Sequence, residues 1–123
     1  MKQIVKWAGG QIVVRPGTVA DDITARYIAE QVLSTYPRDD STQVRVTQFG
    51  QLCSQTESSE GLTWEPAIVR NLDAAGMRTA YDAFTGLPKT IYARWFEAYA
   101  LVDAEMDVDL GPLPLPENAE KKA

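Results

Sequence analysis

The sequence predicts a mainly α-helical protein, a bundle of about four helices with a short N-terminal β-hairpin. Apolar residues recur at helical spacing through successive stretches, and two β-branched runs flanking Gly9-Gly10 come before the first of them. At 123 residues the chain has the length of one domain. We assign residues 1–106 to a single helical domain, whose hairpin occupies residues 1–17, and residues 107–123 to a Pro-rich acidic tail.

The amino-acid composition disfavours several classes of function. A content of 45% apolar and 24% charged residues is typical of a globular domain. The net charge of −5 disfavours nucleic acid and anionic membrane as partners. The chain has no histidine and a single cysteine, so the commonest general base is missing and no intrachain disulfide can form. With neither a hydrophobic leader nor a run of about 20 apolar residues, we expect a soluble, cytosolic protein. Because the missing histidine closes the easiest routes to catalysis, we expect that it is not an enzyme.

Local sequence signals predict the first two strands and the first helix. Residues 4–7 and 11–14 are predicted as strands joined by Ala8-Gly9-Gly10, because glycines tolerate the positive φ of primed hairpin turns. Thr18 is the predicted N-cap of a helix over residues 19–35, with acidic residues in its first turn. The predicted inward row of that helix is Ala25, Ile28, Ala29, Val32 and Tyr36.

The secondary structure in the middle of the chain is ambiguous from sequence. Residues 44–47 alternate like a strand, whereas Val46, Phe49 and Cys53 have helical spacing, and length favours a helix over residues 42–55 capped by Ser41. Gly50 weakens that helix by about 1 kcal/mol. Residues 57–61 have the composition of a surface loop, and Pro66 suits the first position of a short helical turn through residue 70.

Six of the 11 aromatic residues lie between Tyr81 and Tyr99, in the C-terminal half of the chain. The third helix begins at residue 71 or 72 and ends at Gly86, a predicted left-handed C-cap, and the fourth covers residues 88–106. Their apolar rows are Met77, Tyr81 and Phe84, then Ile91, Trp95, Ala98, Val102 and Met106. A second row, Tyr92, Phe96 and Tyr99, widens the apolar side of the fourth helix beyond the roughly 100° stripe of a surface helix, which indicates a protein partner.

The predicted protein-binding residues are therefore Tyr92, Trp95, Phe96 and Tyr99, with a fully buried position for Trp95 and Phe96 as the alternative. No catalytic, cofactor-binding or metal-binding residues are predicted. Cys53 fits a small core residue, and the acidic stretch that starts at Asp103 has Val108 and Pro114 where a calcium loop needs glycine and glutamate. The segment Leu113-Pro114-Leu115-Pro116 either binds a groove or wraps the domain through its leucines.

The order of these features resembles the tail assembly chaperones of long-tailed bacteriophages. The resemblance covers most of the chain as order and spacing. The matching features are an opening β element that ends in Ile12-Val13-Val14-Arg15-Pro16-Gly17-Thr18, a middle stretch with Arg45-Val46-Thr47-Gln48-Phe49 and Ser54-Gln55-Thr56, a linker through Gly61 and Trp64, a block from Phe84-Thr85-Gly86-Leu87-Pro88 to Trp95, and a polar Pro-rich tail.

The resemblance implies a small, largely helical protein of the infected host's cytoplasm that is absent from the finished virion. Such proteins are thought to bind the tape measure protein, keep it soluble and help bring tail tube subunits to it; self-association is a further expectation. Lys121-Lys122 is compatible with a frameshift site that would give a longer form. Two alternatives stay open: a virion structural protein of the neck or tail-completion type, and a regulatory protein-binding module.

Overall fold

A computed structural model describes residues 2–36 and 40–110, with the side chains of residues 2–36 and 41–102. The described part of the chain is mostly helical, as predicted. The elements in chain order are β1 (Gln3–Trp7), β2 (Gly10–Val14), α1 (Val19–Leu33), α2 (Asp40–Ser54), β3 (Thr56–Glu60), a 3-10 helix (Pro66–Asn71), α3 (Ala74–Thr85) and α4 (Lys89–Leu110). α4 thus extends beyond the predicted end at residue 106, and residues 111–123 of the predicted tail lie outside the described part.

The hairpin is the first part of a three-stranded antiparallel sheet with the order β1-β2-β3. The prediction of a surface loop over residues 57–61 is wrong, because β3 pairs with β2 from Gln11↔Glu60 to Val14↔Thr56 across a register shift. Its exposed Glu57 and Ser58 suit the solvent face of an edge strand. Tertiary pairing with β2, rather than its own composition, makes this segment a strand.

The hairpin turn lies at the predicted place, but neither of its glycines has the predicted positive φ, and Gly10 is required because of a close backbone contact. Among the described residues, positive φ occurs only at Gly61, at 86°, directly after β3. A Cβ on Gly10 would lie 2.1 Å from the carbonyl oxygen of Glu60, so the contact between β2 and β3 requires glycine there. Gly86 caps α3 at the predicted place, but its φ of −88° is right-handed, which corrects the predicted left-handed cap.

The core lies between the inner face of the sheet and the four α-helices. Every residue of the predicted α1 row is buried except Tyr36, which is half-buried, and α2 is helical and buries Val46, Phe49 and Cys53. α2 begins at Asp40, so Ser41 lies inside the helix and is not its cap. Rings from α2, α3 and α4 meet around Phe84, whose centroid lies 5.2 Å from that of Phe49 and 6.0 Å from that of Trp95.

A glycine sets the distance between the first two helices. A Cβ on Gly50 of α2 would lie 2.4 Å from the carbonyl oxygen of Ala25 on α1, a contact with backbone that no side-chain rotation relieves. The intrinsic cost of glycine in α2 is therefore offset by the closer packing of two helices around small residues.

A partly buried polar cluster, which we call the Arg15 junction, connects the sheet to the helices. The guanidinium of Arg15 donates to both carboxylate oxygens of Asp21 at 2.8 Å and to the carbonyl oxygen of Ser54 at 2.9 Å. The side-chain amide of Gln55 donates to the carbonyl oxygen of Arg15. Asp21 also completes the capping box of α1 with Thr18, which confirms the predicted N-cap. The ends of β2 and α2 and the start of α1 are thereby fixed together.

The Arg15 junction makes stability depend on pH. The hydrogen bonds from Arg15 hold the pKa of Asp21 below its usual value, in spite of partial burial. Its stabilising contribution is therefore complete above the unfolded-state pKa of about 3.9 and is lost as the pH falls through the lower folded-state pKa. We expect Asp21→Asn to lower the free energy of unfolding at pH 7 by about 2–4 kcal/mol and to flatten its decrease in acid, measured by urea denaturation from pH 7 to pH 2.

Asp22→Asn is the matched control, since Asp22 is the exposed acidic neighbour in the same helical turn. The wild-type pH profile is expected for this variant. An equal effect of both substitutions would show that a general charge effect, rather than the junction, causes the acid sensitivity.

The helix contact at Gly50 gives a second prediction. Gly50→Ala should lower the free energy of unfolding by about 1–3 kcal/mol, because overpacking against the α1 backbone outweighs the better helix propensity of alanine. In Gly86→Ala, the new Cβ would lie 3.4 Å from its nearest neighbour, the carbonyl oxygen of Ala83, and we expect a change within about 0.5 kcal/mol. Thermal and urea denaturation of both variants decide this, and a stabilising Gly50→Ala would contradict the close contact.

Candidate protein-binding surfaces

The structure separates the four predicted protein-binding residues. Trp95 is 0% exposed, packs against Trp64 and Phe84, and donates its indole N–H to the hydroxyl oxygen of Thr56 at 3.2 Å. A buried ring with a satisfied N–H belongs to the core. Trp95 therefore has no surface for a partner in the folded domain, and its place among the binding residues is corrected.

The other three residues form a half-buried row that we call the α4 ladder: Tyr92, Phe96 and Tyr99. Neighbouring rings along the ladder are stacked, with centroids 6.2 Å apart for Tyr92 and Phe96 and 5.6 Å apart for Phe96 and Tyr99. The ladder is an outward extension of the aromatic core, because the Tyr92 ring also meets Phe84 edge-on at 5.7 Å. Its outer faces are a candidate contact surface for an apolar partner.

Polar residues of α2 hold the first ring of the ladder in place. The Tyr92 hydroxyl donates to the side-chain oxygen of Gln48, and the guanidinium of Arg45 lies over the ring, 5.2 Å from its centroid. A ring fixed on two sides loses little conformational entropy when a partner binds. The ladder is thus rigid at Tyr92 and is edged by one positive charge.

The most exposed apolar row lies on α1 and was missed by the sequence reasoning. Val19, Ile23 and Tyr27 are 76%, 67% and 48% exposed, and we call them the α1 stripe. Their spacing of four residues places them on one face, opposite the buried row of Ala25, Ile28 and Val32. This spacing was readable in the sequence, had the apolar residues left over from the inward row been examined for a second row.

One cavity of the described region, of about 580 Å³, is an open cleft between α1 and α2. Small side chains such as Ala25 and Ala29 line it together with Gln43, Thr47 and Gln51. No group of three or more histidine, cysteine, aspartate or glutamate residues suited to a metal ion occurs within the described ranges.

Cys53 is buried in the core, as predicted, and burial raises the pKa of its thiol well above the usual value, so the reactive thiolate is suppressed. None of the helices in the described part is both long enough and apolar enough to cross a bilayer.

Comparison with known proteins finds no matching family model, no curated relative and no similar solved structure.

The two roles on α4 can be distinguished by stability measurements. Trp95→Phe removes the indole N–H and leaves space beside Trp64, and should lower the free energy of unfolding by about 2–4 kcal/mol. Phe96→Leu keeps an apolar side chain at a half-buried position and should cost about 1 kcal/mol or less. Urea denaturation measures both, and an equal or larger cost for Phe96→Leu would contradict the assignment of Trp95 to the core and Phe96 to the surface.

Proposed function

We propose that the protein is a non-enzymatic tail assembly chaperone of a long-tailed bacteriophage. In this role it acts in the host cytoplasm, binds the tape measure protein and keeps it soluble, and helps recruit tail tube subunits. The proposal combines the resemblance in the order of sequence features with one structural observation. That observation is the α1 stripe, an apolar helical face that the described residues leave exposed.

The α1 stripe suits a helical client. A tape measure protein is a long helical protein whose apolar faces are exposed until the tail tube encloses it, so it is prone to aggregation before assembly. A row with four-residue spacing on α1 packs against an apolar row of a second helix, the geometry of ordinary helix–helix contacts. Burying one large aliphatic side chain such as Ile23 contributes about 1.5–3 kcal/mol, so a few such contacts are enough for reversible binding.

The charge distribution fits the same role. Net charge away from zero favours solubility of a complex whose client carries apolar surface, and this chain has a charge of −5. Asp22, Arg26 and Glu30 are exposed on α1 beside the stripe, so both signs of charge border the apolar contact. Such a rim favours a defined register of the client helix over non-specific aggregation.

The experiment is co-expression with the tape measure protein of the same phage, scored as soluble client and as client retained on the tagged chaperone. Ile23→Glu places a charge in the centre of the α1 stripe and should reduce retained client at least about tenfold. Val44→Glu is the matched control, because Val44 is 58% exposed but lies on α2, apart from the α1 stripe. We expect it to retain client as the wild type does.

Three outcomes would contradict the proposal. In the first, the client is equally soluble without this protein. In the second, Ile23→Glu and Val44→Glu retain the same amount of client. In the third, mass spectrometry finds the protein at fixed copy number in purified virions, which would favour the structural alternative. Phe96→Glu in the same assay tests whether the α4 ladder is a second contact. Reduced retention would assign it to the client surface, and wild-type retention would remove the ladder residues from that surface.

A further inference from the structure

The charged residues beside the α1 stripe lie on one flank of it. Asp22, Arg26 and Glu30 are exposed and follow one another at a spacing of four residues, as the stripe residues do. Consecutive residues are turned by about 100° around a helix axis, which places these three side chains between the stripe and α2. Ala20 and Thr24, on the flank that faces away from α2, are uncharged. We call Asp22, Arg26 and Glu30 the charged flank.

The cleft between α1 and α2 begins at the charged flank. It has a volume of about 580 Å³, and all three residues of the charged flank line it. Ala25 and Ala29 contribute small apolar surfaces from α1, and Gln43, Thr47 and Gln51 form a polar, uncharged wall on α2. Lysine and arginine side chains place their apolar stems along such surfaces and keep their charged ends near water. The cleft therefore has space for long basic side chains of a helix that lies on the stripe.

The charged flank is available to a partner. None of its three residues forms an ion pair with another residue in the part of the chain that the structure describes. Within α1, residues four apart on the flank have opposite signs, and exposed pairs of this kind attract each other only weakly. A docked helix can thus pair with these charges without first breaking a strong contact.

We propose that the charged flank selects the client segment that binds the α1 stripe. This segment is a helix with a basic, an acidic and a basic residue, four residues apart, along one flank of its own apolar row. The inference rests on the proposed function, because it gives the chemistry of the segment that the stripe binds. The order acid-base-acid of the charged flank reads the same in both directions, so it selects a client sequence without fixing the direction of the client helix.

The apolar row and the charges have different roles in this contact. The stripe supplies affinity for any helix with an apolar face, whereas charges at the rim of an interface mainly distinguish one partner from another. A helix of the complementary order meets three attractive contacts, and a helix of the opposite order meets three repulsive ones. A second copy of α1 has the order acid-base-acid itself. It matches only after a shift of one turn, which leaves one charge unmatched and part of the stripe uncovered.

The first test compares two synthetic helical peptides on the full chain. Both have the same apolar row, flanked at four-residue spacing by lysine, glutamate and lysine in one and by glutamate, lysine and glutamate in the other. Fluorescence anisotropy at low salt should show at least about tenfold tighter binding of the first peptide. This difference should decrease as the salt concentration rises. Equal affinities, no binding of either peptide, or binding that survives Ile23→Glu would overturn the inference.

Reversal of the charged flank tests the same residues from the side of the protein. The triple variant Asp22→Lys, Arg26→Glu and Glu30→Lys keeps opposite signs at four-residue spacing within α1. It should bind the second peptide more tightly than the first, whereas a general loss of structure would weaken both. If circular dichroism shows that this variant is unfolded, Arg26→Glu alone decides, because it should narrow the difference between the peptides. An unchanged preference in the folded variant would contradict selection by the charged flank.

The role of the cleft has its own matched pair of variants. Thr47→Trp places a large ring in the cleft and leaves the charged flank unchanged, so it should remove most of the preference for the first peptide. Thr79→Trp is the control, because Thr79 is also an exposed helical threonine but lies on α3. It should bind both peptides as the wild type does. If Thr47→Trp also keeps the wild-type preference, the long side chains of the partner do not use the cleft.

The peptides contain no tape measure sequence, so their result is independent of the co-expression experiment. Retention of the client together with equal binding of the two peptides would overturn the charge selection and leave the chaperone proposal in place. Selective binding of the first peptide without retention of the client would overturn the tape measure protein as the client, while the chemistry of the bound helix would stand.

Discussion

The position of α4 depends on the burial of Trp95, and with it the shape of every surface on that helix. Its indole N–H is bonded to Thr56 at the start of β3, and the Thr56 hydroxyl donates in turn to the carbonyl oxygen of Leu52 in α2. One side chain thus connects three elements in a region without access to water, where an unpaired N–H is costly. Because Trp95 fixes the rotation of α4, the three rings of the α4 ladder lie together on another side of the helix, where they are only half-buried.

The other contacts that fix the fold also join elements that are distant in the sequence. The Arg15 junction holds Asp21 at the start of α1 against the ends of β2 and α2, and Gly50 allows α1 to approach α2 at backbone distance. Arg70 of the 3-10 helix adds a second guanidinium on the Ser54 carbonyl oxygen. Elements separated in the sequence are therefore joined by specific polar contacts as well as by apolar packing, which favours one arrangement of the helices.

The sequence predicted the parts of this fold that depend on local chemistry. Thr18 is recognisable as a cap, and the α1 row and the Met77, Tyr81 and Phe84 row have the spacing of one helical face. β3 was missed because Glu57, Ser58 and Ser59 show no apolar alternation, and β2 alone supplies the pairing that makes them a strand. The sequence places Trp95 and Phe96 on two different apolar rows of α4, but how deeply each row is buried depends on the angle that tertiary packing gives the helix.

The largest rings are not the residues that the fold leaves on its surface. Phe84 packs against both Phe49 and Trp95, so these rings are buried against other aromatic residues of the same domain. The uncovered surface lies on α1, where Val19 and Ile23 face away from α2 and α3. α1 is already packed on its inner side, and no described element lies over its outer side. Only a group from outside the described domain can therefore bury that row. The more exposed candidate surface for a partner is thus on α1 rather than on α4.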